Sequence, residues 1–336
     1  MTGPDSRQAE PGATVRLPGG STFTIEGRAA PGLYLVGWLG SVMGLGVLAV
    51  AILSGASGLA GFALSLAGSG VLSVGLTAAA GAQTIERRAR HVEGYDGPSP
   101  FLLFPATLAL TIVLVLVVGT PAVALGLDVD SPLSSLLSVS LTALAYVTLV
   151  RLVVVGPGAL DWRAMGLARP RAAALEDIAL GALLALPLIV VTLVLTTALV
   201  ALVGKVPDSP LPQARTGVDL AVNLLAAAVV APVGEEIFFR GFATTAWLRT
   251  MGPERAILRG AVFFAVVHIL TVGGSSFGDA AGRALVAFVG RLPYAFALGW
   301  LFVRRRSLYA SIGFHAAFNG LLIVLGELAS TSVGLT

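Results

Sequence analysis

The stretch Gly234-Glu235-Glu236-Ile237-Phe238-Phe239-Arg240 follows directly on the apolar run 220–233. Two adjacent carboxylates at membrane depth are costly, about 2.5–3.5 kcal/mol each on insertion scales. A chain carries that cost when something pairs the charges or uses them. Glu236 and Arg240 are spaced i, i+4 and stack on one helical face, whereas Glu235 is turned from Glu236 by about 100°. One carboxylate can pair with Arg240 while the other points elsewhere. The only histidines inside apolar runs lie downstream. His268 closes the run 263–268, and His315 shares a helical face with Asn319, again at i, i+4. A carboxylate beside a neutral imidazole can take a proton from water, and a second imidazole with an amide can stabilise a developing oxyanion. Glu235, His268 and His315 could alternatively hold Zn²⁺, with Asn319 behind them. Either scheme hydrolyses an acyl bond, most plausibly a peptide.

Each feature also has a structural explanation. Glu236–Arg240 could be an ion pair that only holds helices together. An intramembrane histidine could be a packing group or a proton relay. Asn319 could join two helices by a hydrogen bond. The conjunction carries more weight than any member. All three segments fall in the last third of the chain, and no other apolar run has such a group at its middle.

The elements that must position these groups are transmembrane helices. The 336 residues are 56% hydrophobic and 12% charged, against about 25% charged in a soluble domain, and the mean hydropathy is +0.91. The class is therefore all-α, a polytopic transmembrane bundle. Candidate spans are 32–54, 58–82, 101–126, 132–155, 176–203, 218–246, 257–273, 281–303 and 307–328. The seventh is short, so the expected number is eight or nine. Residues 1–30 read as a flexible tail, 31–210 as N-terminal membrane helices and 211–328 as the core that carries the polar groups. The first apolar run is too long for a cleavable signal peptide. Arginines follow the even spans, and Asp128, Asp130, Asp208 and Asp279 occupy the opposite loops. By the positive-inside rule the N-terminus is cytoplasmic, and the polar cavity is expected to open toward that side. A net charge of +3, gathered at span ends, excludes a nucleic-acid footprint. The absence of cysteine excludes disulfides, thiolate metal sites and cysteine nucleophiles. Lys205 is the one lysine, an arginine skew that suggests a GC-rich bacterial genome.

Glu235-Glu236-x-x-x-Arg240, then Phe264-x-x-x-His268, then His315-x-x-x-Asn319, resembles the three-motif signature of the CAAX protease and bacteriocin-processing (CPBP) family, the Rce1-like or Abi intramembrane proteases. All three motifs are present in order, over about residues 215–325. The resemblance implies that Glu235 and His268 activate water, that His315 and Asn319 form the oxyanion hole, and that Glu236 and Arg240 shape the site. It leaves open whether zinc is required. It implies a peptide or protein substrate in the bilayer, and it also admits a non-catalytic member with an immunity or scaffold role.

Rival readings are weaker. Gly55-Ala56-Ser57-Gly58 fits a serine-protease GxSG pattern but sits between spans one and two, where a small-residue turn explains it. HExxH is absent, and Ser276-Phe277-Gly278-Asp279 lacks the first glycine of a GxGD aspartyl site. A proton-coupled transporter could use buried Glu, Arg and His, but no inverted repeat accompanies them.

Overall fold

The structure, a computed structural model, describes residues 24–209 and 211–332. The expected flexible tail lies, up to residue 23, outside the described residues. Joining each helix across its π-turns, the elements are α1 (Pro31–Leu53), α2 (Gly58–Ala89), α3 (Pro100–Ala124), α4 (Pro132–Val155), α5 (Arg171–Val203), α6 (Gly217–Met251), α7 (Pro253–Val267), α8 (Phe277–Arg305) and α9 (Leu308–Ser332). No strand occurs among the described residues. Backbone amides in lipid have no water to bond, so the chain satisfies them inside helices.

Eight of these helices are long and apolar enough to cross a membrane. The exception is α7. Its 15 residues reach about 22 Å, short of a hydrocarbon core of about 30 Å. The expected seventh span at 257–273 therefore resolves into a short helix that ends at Val267 and a largely non-helical stretch to residue 276. Contacts at the two ends of the bundle show what this broken element does. At one end the segment after α5 meets the start of α8, with Lys205 Nζ 2.8 Å from Asp279 Oδ1 and Arg283 Nη1 2.5 Å from Asp208 Oδ1. At the other end Arg305 Nη2 binds Asp177 Oδ1 at 2.7 Å, and Arg169 donates to the Arg305 carbonyl. The start of α7 lies at this second end, where Arg259 stands over the Phe101 ring of α3. So α7 and 268–276 together return the chain from the arginine-rich end to the aspartate-rich end. The non-helical part is tolerable because Ser275 N and Oγ both donate to Asp279 Oδ2.

Packing is uneven along the chain. α1 lies along α2, which in turn packs on α3. The most apolar stretch of α1 is only 17% buried, and that of α8 is 50% buried. α5 packs along α9 and α8, while α4 and α9 flank α6. The core around α6 is aromatic: Phe238, Phe239, Phe242 and Phe264 are fully buried.

Candidate active site

The middle of α6 departs twice from α-geometry. π-turns at Leu225–Val230 and Ile237–Thr244 flank the single α-helical stretch Ala231–Glu236, which presents both carboxylates. The first π-turn has a local cause. Ala231 N bonds to the Ala226 carbonyl, five residues back. The next donor in that register would be residue 232, which is proline and has no N–H. The carbonyl left over is that of Ala227, and Asn319 Nδ2 donates to it at 2.8 Å. Asn319 thus ties α9 to the defect in α6. One amide hydrogen remains for other use.

Glu236 is completely buried and is the hub of an ion-pair network. Arg240 Nη1 reaches its Oε1 at 3.1 Å, and His315 Nδ1 reaches the same oxygen at 2.8 Å. The guanidinium also stacks over Phe264, 4.3 Å from the ring centroid, and its Nη2 points to the Ala295 carbonyl of α8. Three helices besides α6 therefore meet around one salt bridge. Breaking such a buried pair costs about 3–5 kcal/mol.

Glu235 faces away from that bridge. Its Oε2 lies 3.6 Å from His268 Nε2 and 3.9 Å from His315 Nε2, and it has no hydrogen-bond partner among the described residues. The protonation of both imidazoles follows from their other nitrogens. His268 Nδ1 is 2.7 Å from the Phe264 carbonyl, which can only accept, so Nδ1 carries the proton. His315 Nδ1 carries its proton toward the Glu236 carboxylate for the same reason. In the neutral rings both Nε2 lone pairs therefore face the Glu235 oxygen. Three acceptors converge with no donor between them, which calls for a water, an added proton or a cation.

Zinc with bonds of about 2.1 Å would draw tetrahedral ligands to about 3.4 Å from one another. The observed separations are longer, and among the described residues no group of three or more His, Cys, Asp or Glu is arranged to hold a metal ion. A water bridging two acceptors suits wider spacing.

The arginine-rich side of Glu235 is closed by Phe238, Phe239, Phe242, Phe104 and Tyr146, all buried, with Tyr146 and Phe238 centroids 4.8 Å apart. A cavity of about 100 Å³ instead reaches Glu235 between α4 and α6, bordered by Ser138, Thr142, Ala143, Tyr146 and Ala231. Ser138 lies toward the aspartate-rich start of α4, and the phenylalanine run after Glu236 packs the other side.

The sequence reading also missed a neighbour. Tyr294 of α8 is buried, its ring lies 5.3 Å from that of His315, and its hydroxyl has no partner among the described residues. A tyrosine in the middle of an apolar helix was the available signal. Five of the six expected residues, Glu235, Glu236, Arg240, His268 and His315, form one connected cluster, while Asn319, one turn past His315 on α9, is bound to the Ala227 carbonyl within the first π-turn of α6.

Residues 217–321 match the family model described as type II CAAX prenyl endopeptidase Rce1-like. No curated protein and no solved structure matched the chain. The match starts at the first residue of α6 and ends just past Asn319, so it takes in every residue of the cluster. Helices α6 to α9 are therefore similar to the Rce1-like domain of a membrane-protease family, in a chain with eight helices long and apolar enough to cross a membrane.

Proposed function

We propose that the protein is an intramembrane endopeptidase that cleaves peptide bonds of a membrane-associated substrate with a water activated by Glu235 and His268. The observation that carries this reading is the unpartnered Glu235 Oε2, faced by two imidazole Nε2 atoms at 3.6 and 3.9 Å. A water there donates to Glu235 Oε2 and His268 Nε2. On attack at the scissile carbonyl carbon it passes one proton to this pair, and the carbonyl becomes an oxyanion. The free amide hydrogen of Asn319 stabilises that charge, and His315 adds a second donor once its Nε2 has taken a proton from solvent before the attack, a proton it keeps through the cycle, since its neutral form offers only a lone pair there. The stored proton then moves to the amine nitrogen as the C–N bond breaks. Glu236 and Arg240 touch no reacting atom in this scheme. They hold His315 and α8 in register.

The catalytic unit is residues 211–328, and the arginine-rich end faces the cytoplasm by the positive-inside rule. The mechanism needs no metal. Stoichiometric zinc in active protein, with activity lost to a chelator and restored by zinc alone, would reverse that assignment. The decisive experiment compares the membrane proteome of cells expressing wild type with that of cells expressing Glu235→Gln. New C-termini that disappear in the variant establish peptidase activity and name the substrate. Identical C-termini in both, at equal protein level, reject the proposal.

A further inference from the structure

One concavity of the molecule lies away from the catalytic cluster. It is a groove of about 520 Å³ on the lipid-facing side of α7, bordered by Phe101 of α3, Arg255, Leu258, Arg259, Val262 and Val266. Its polar groups are confined to one end. Arg255 and Arg259 stand two and six residues past Pro253, within about 9 Å of the start of α7 along its axis. That is the arginine-rich end of the bundle, at the level where a membrane has its headgroups. Leu258, Val262 and Val266 follow at i, i+4 and i+8 and are 52%, 38% and 38% exposed. They form an apolar stripe running about 12 Å toward the bilayer middle.

Both guanidiniums lack a carboxylate within ion-pair distance among the described residues, although other arginines at this end, Arg88, Arg90, Arg169 and Arg305, have one. Arg259 is nevertheless held in place, 5.9 Å above the Phe101 ring and 5.8 Å above the Trp247 ring. An ordered, unpaired cation at a membrane interface favours an anionic group. A free phosphate would make no use of the apolar stripe, and a neutral lipid or apolar helix would make no use of the arginines. The layout of charge and apolar surface matches one molecule that has both parts.

We propose that this groove is a binding site for an anionic phospholipid, with the headgroup phosphate on Arg255 and Arg259 and an acyl chain along Leu258, Val262 and Val266. The site is independent of the peptidase reading. It bears on the catalytic cluster through α7, because the opposite side of the helix supplies Phe264, which lies under Arg240 and against His268. The lipid braces a helix too short to span the bilayer by itself.

The test is native mass spectrometry of detergent-purified full-length protein titrated with phosphatidylglycerol or phosphatidylcholine. Wild type retains phosphatidylglycerol at least about tenfold more tightly than phosphatidylcholine, as expected for two guanidiniums near an anionic group. Arg255→Gln/Arg259→Gln removes that preference. Arg163→Gln/Arg304→Gln, which takes the same charge from exposed positions at the same end, keeps it. Leu258→Trp fills the groove without touching the charges and also weakens retention, and glycerol phosphate alone does not compete. Circular dichroism confirms that each variant is folded. Equal retention of the two lipids by wild type overturns the proposal, as does an equal loss in both double variants, or full competition by glycerol phosphate.

Discussion

The α1–α2 hairpin and the α6–α9 domain solve the same problem, holding helices together in lipid, by opposite means. In the hairpin the contact is made by what is missing from the side chains. A Cβ on Gly44 would meet Leu72 N at 2.5 Å, and one on Gly40 would meet Gly75 Cα at 2.8 Å. Such close approach gains van der Waals contact over a long seam and needs no polar group. Around α6 the contact is made by large and charged side chains, with Arg240 and Glu236 only 2% and 0% exposed. The hairpin's register follows where its glycines fall, Gly40 against Gly75 and Gly44 against Leu72. The domain has one salt bridge that several helices must meet at once. Lipid gives no hydrophobic drive to bring helices together, so a unique arrangement of catalytic groups needs directional interactions, and these are concentrated where the chemistry is.

This contrast can be broken or sharpened by substitution. The largest effect is expected on activity. Glu235→Gln keeps the size of the side chain but removes the base, and turnover should fall about 10²–10⁴-fold with an unchanged melting temperature. A turnover near wild type on a verified substrate would remove Glu235 from the mechanism. Next in size is Arg240→Ala, which leaves Glu236 as an uncompensated buried charge and should cost about 3–5 kcal/mol, read as a lower melting temperature in detergent or a loss of folded protein. If Arg240→Ala melts like wild type, the directional core is not what holds the domain. Gly44→Leu forces α1 from α2 and should cost about 1–3 kcal/mol, with catalysis per folded molecule unchanged. A strong loss of catalysis here would mean that the hairpin and the domain are coupled. The smallest effect is at Tyr95, between α2 and α3. Burial pushes its phenol pKa well up, so it stays protonated and donates to the Pro98 carbonyl at 3.0 Å. Tyr95→Phe should cost about 1 kcal/mol, by the same melting assay, with no dependence on pH from neutral to mildly alkaline.

Much of the molecule was legible in the chain itself. Long apolar runs dictate helices, because unsatisfied backbone in lipid is too costly. The i, i+4 spacing of Glu236 and Arg240 dictates that they can pair, and the 100° offset dictates that Glu235 cannot join them in the same way. Those statements are local, and helical geometry is enough to make them. Tertiary structure decided which histidine nitrogen faces Glu235, because that depends on the Phe264 carbonyl for His268 and on the Glu236 carboxylate for His315. It decided that Asn319 serves the Ala227 carbonyl, because the vacancy arises from a π-turn meeting Pro232, which periodicity does not reveal. It decided where aromatic rings close the bundle beside Glu235 and that a cavity reaches this residue between α4 and α6, which loop charges do not report. And it showed that the seventh crossing is a short helix completed by irregular chain. Hydropathy reads a run of apolar residues, while the irregular chain that follows Val267 is held at Ser275 by Asp279, which lies on another helix.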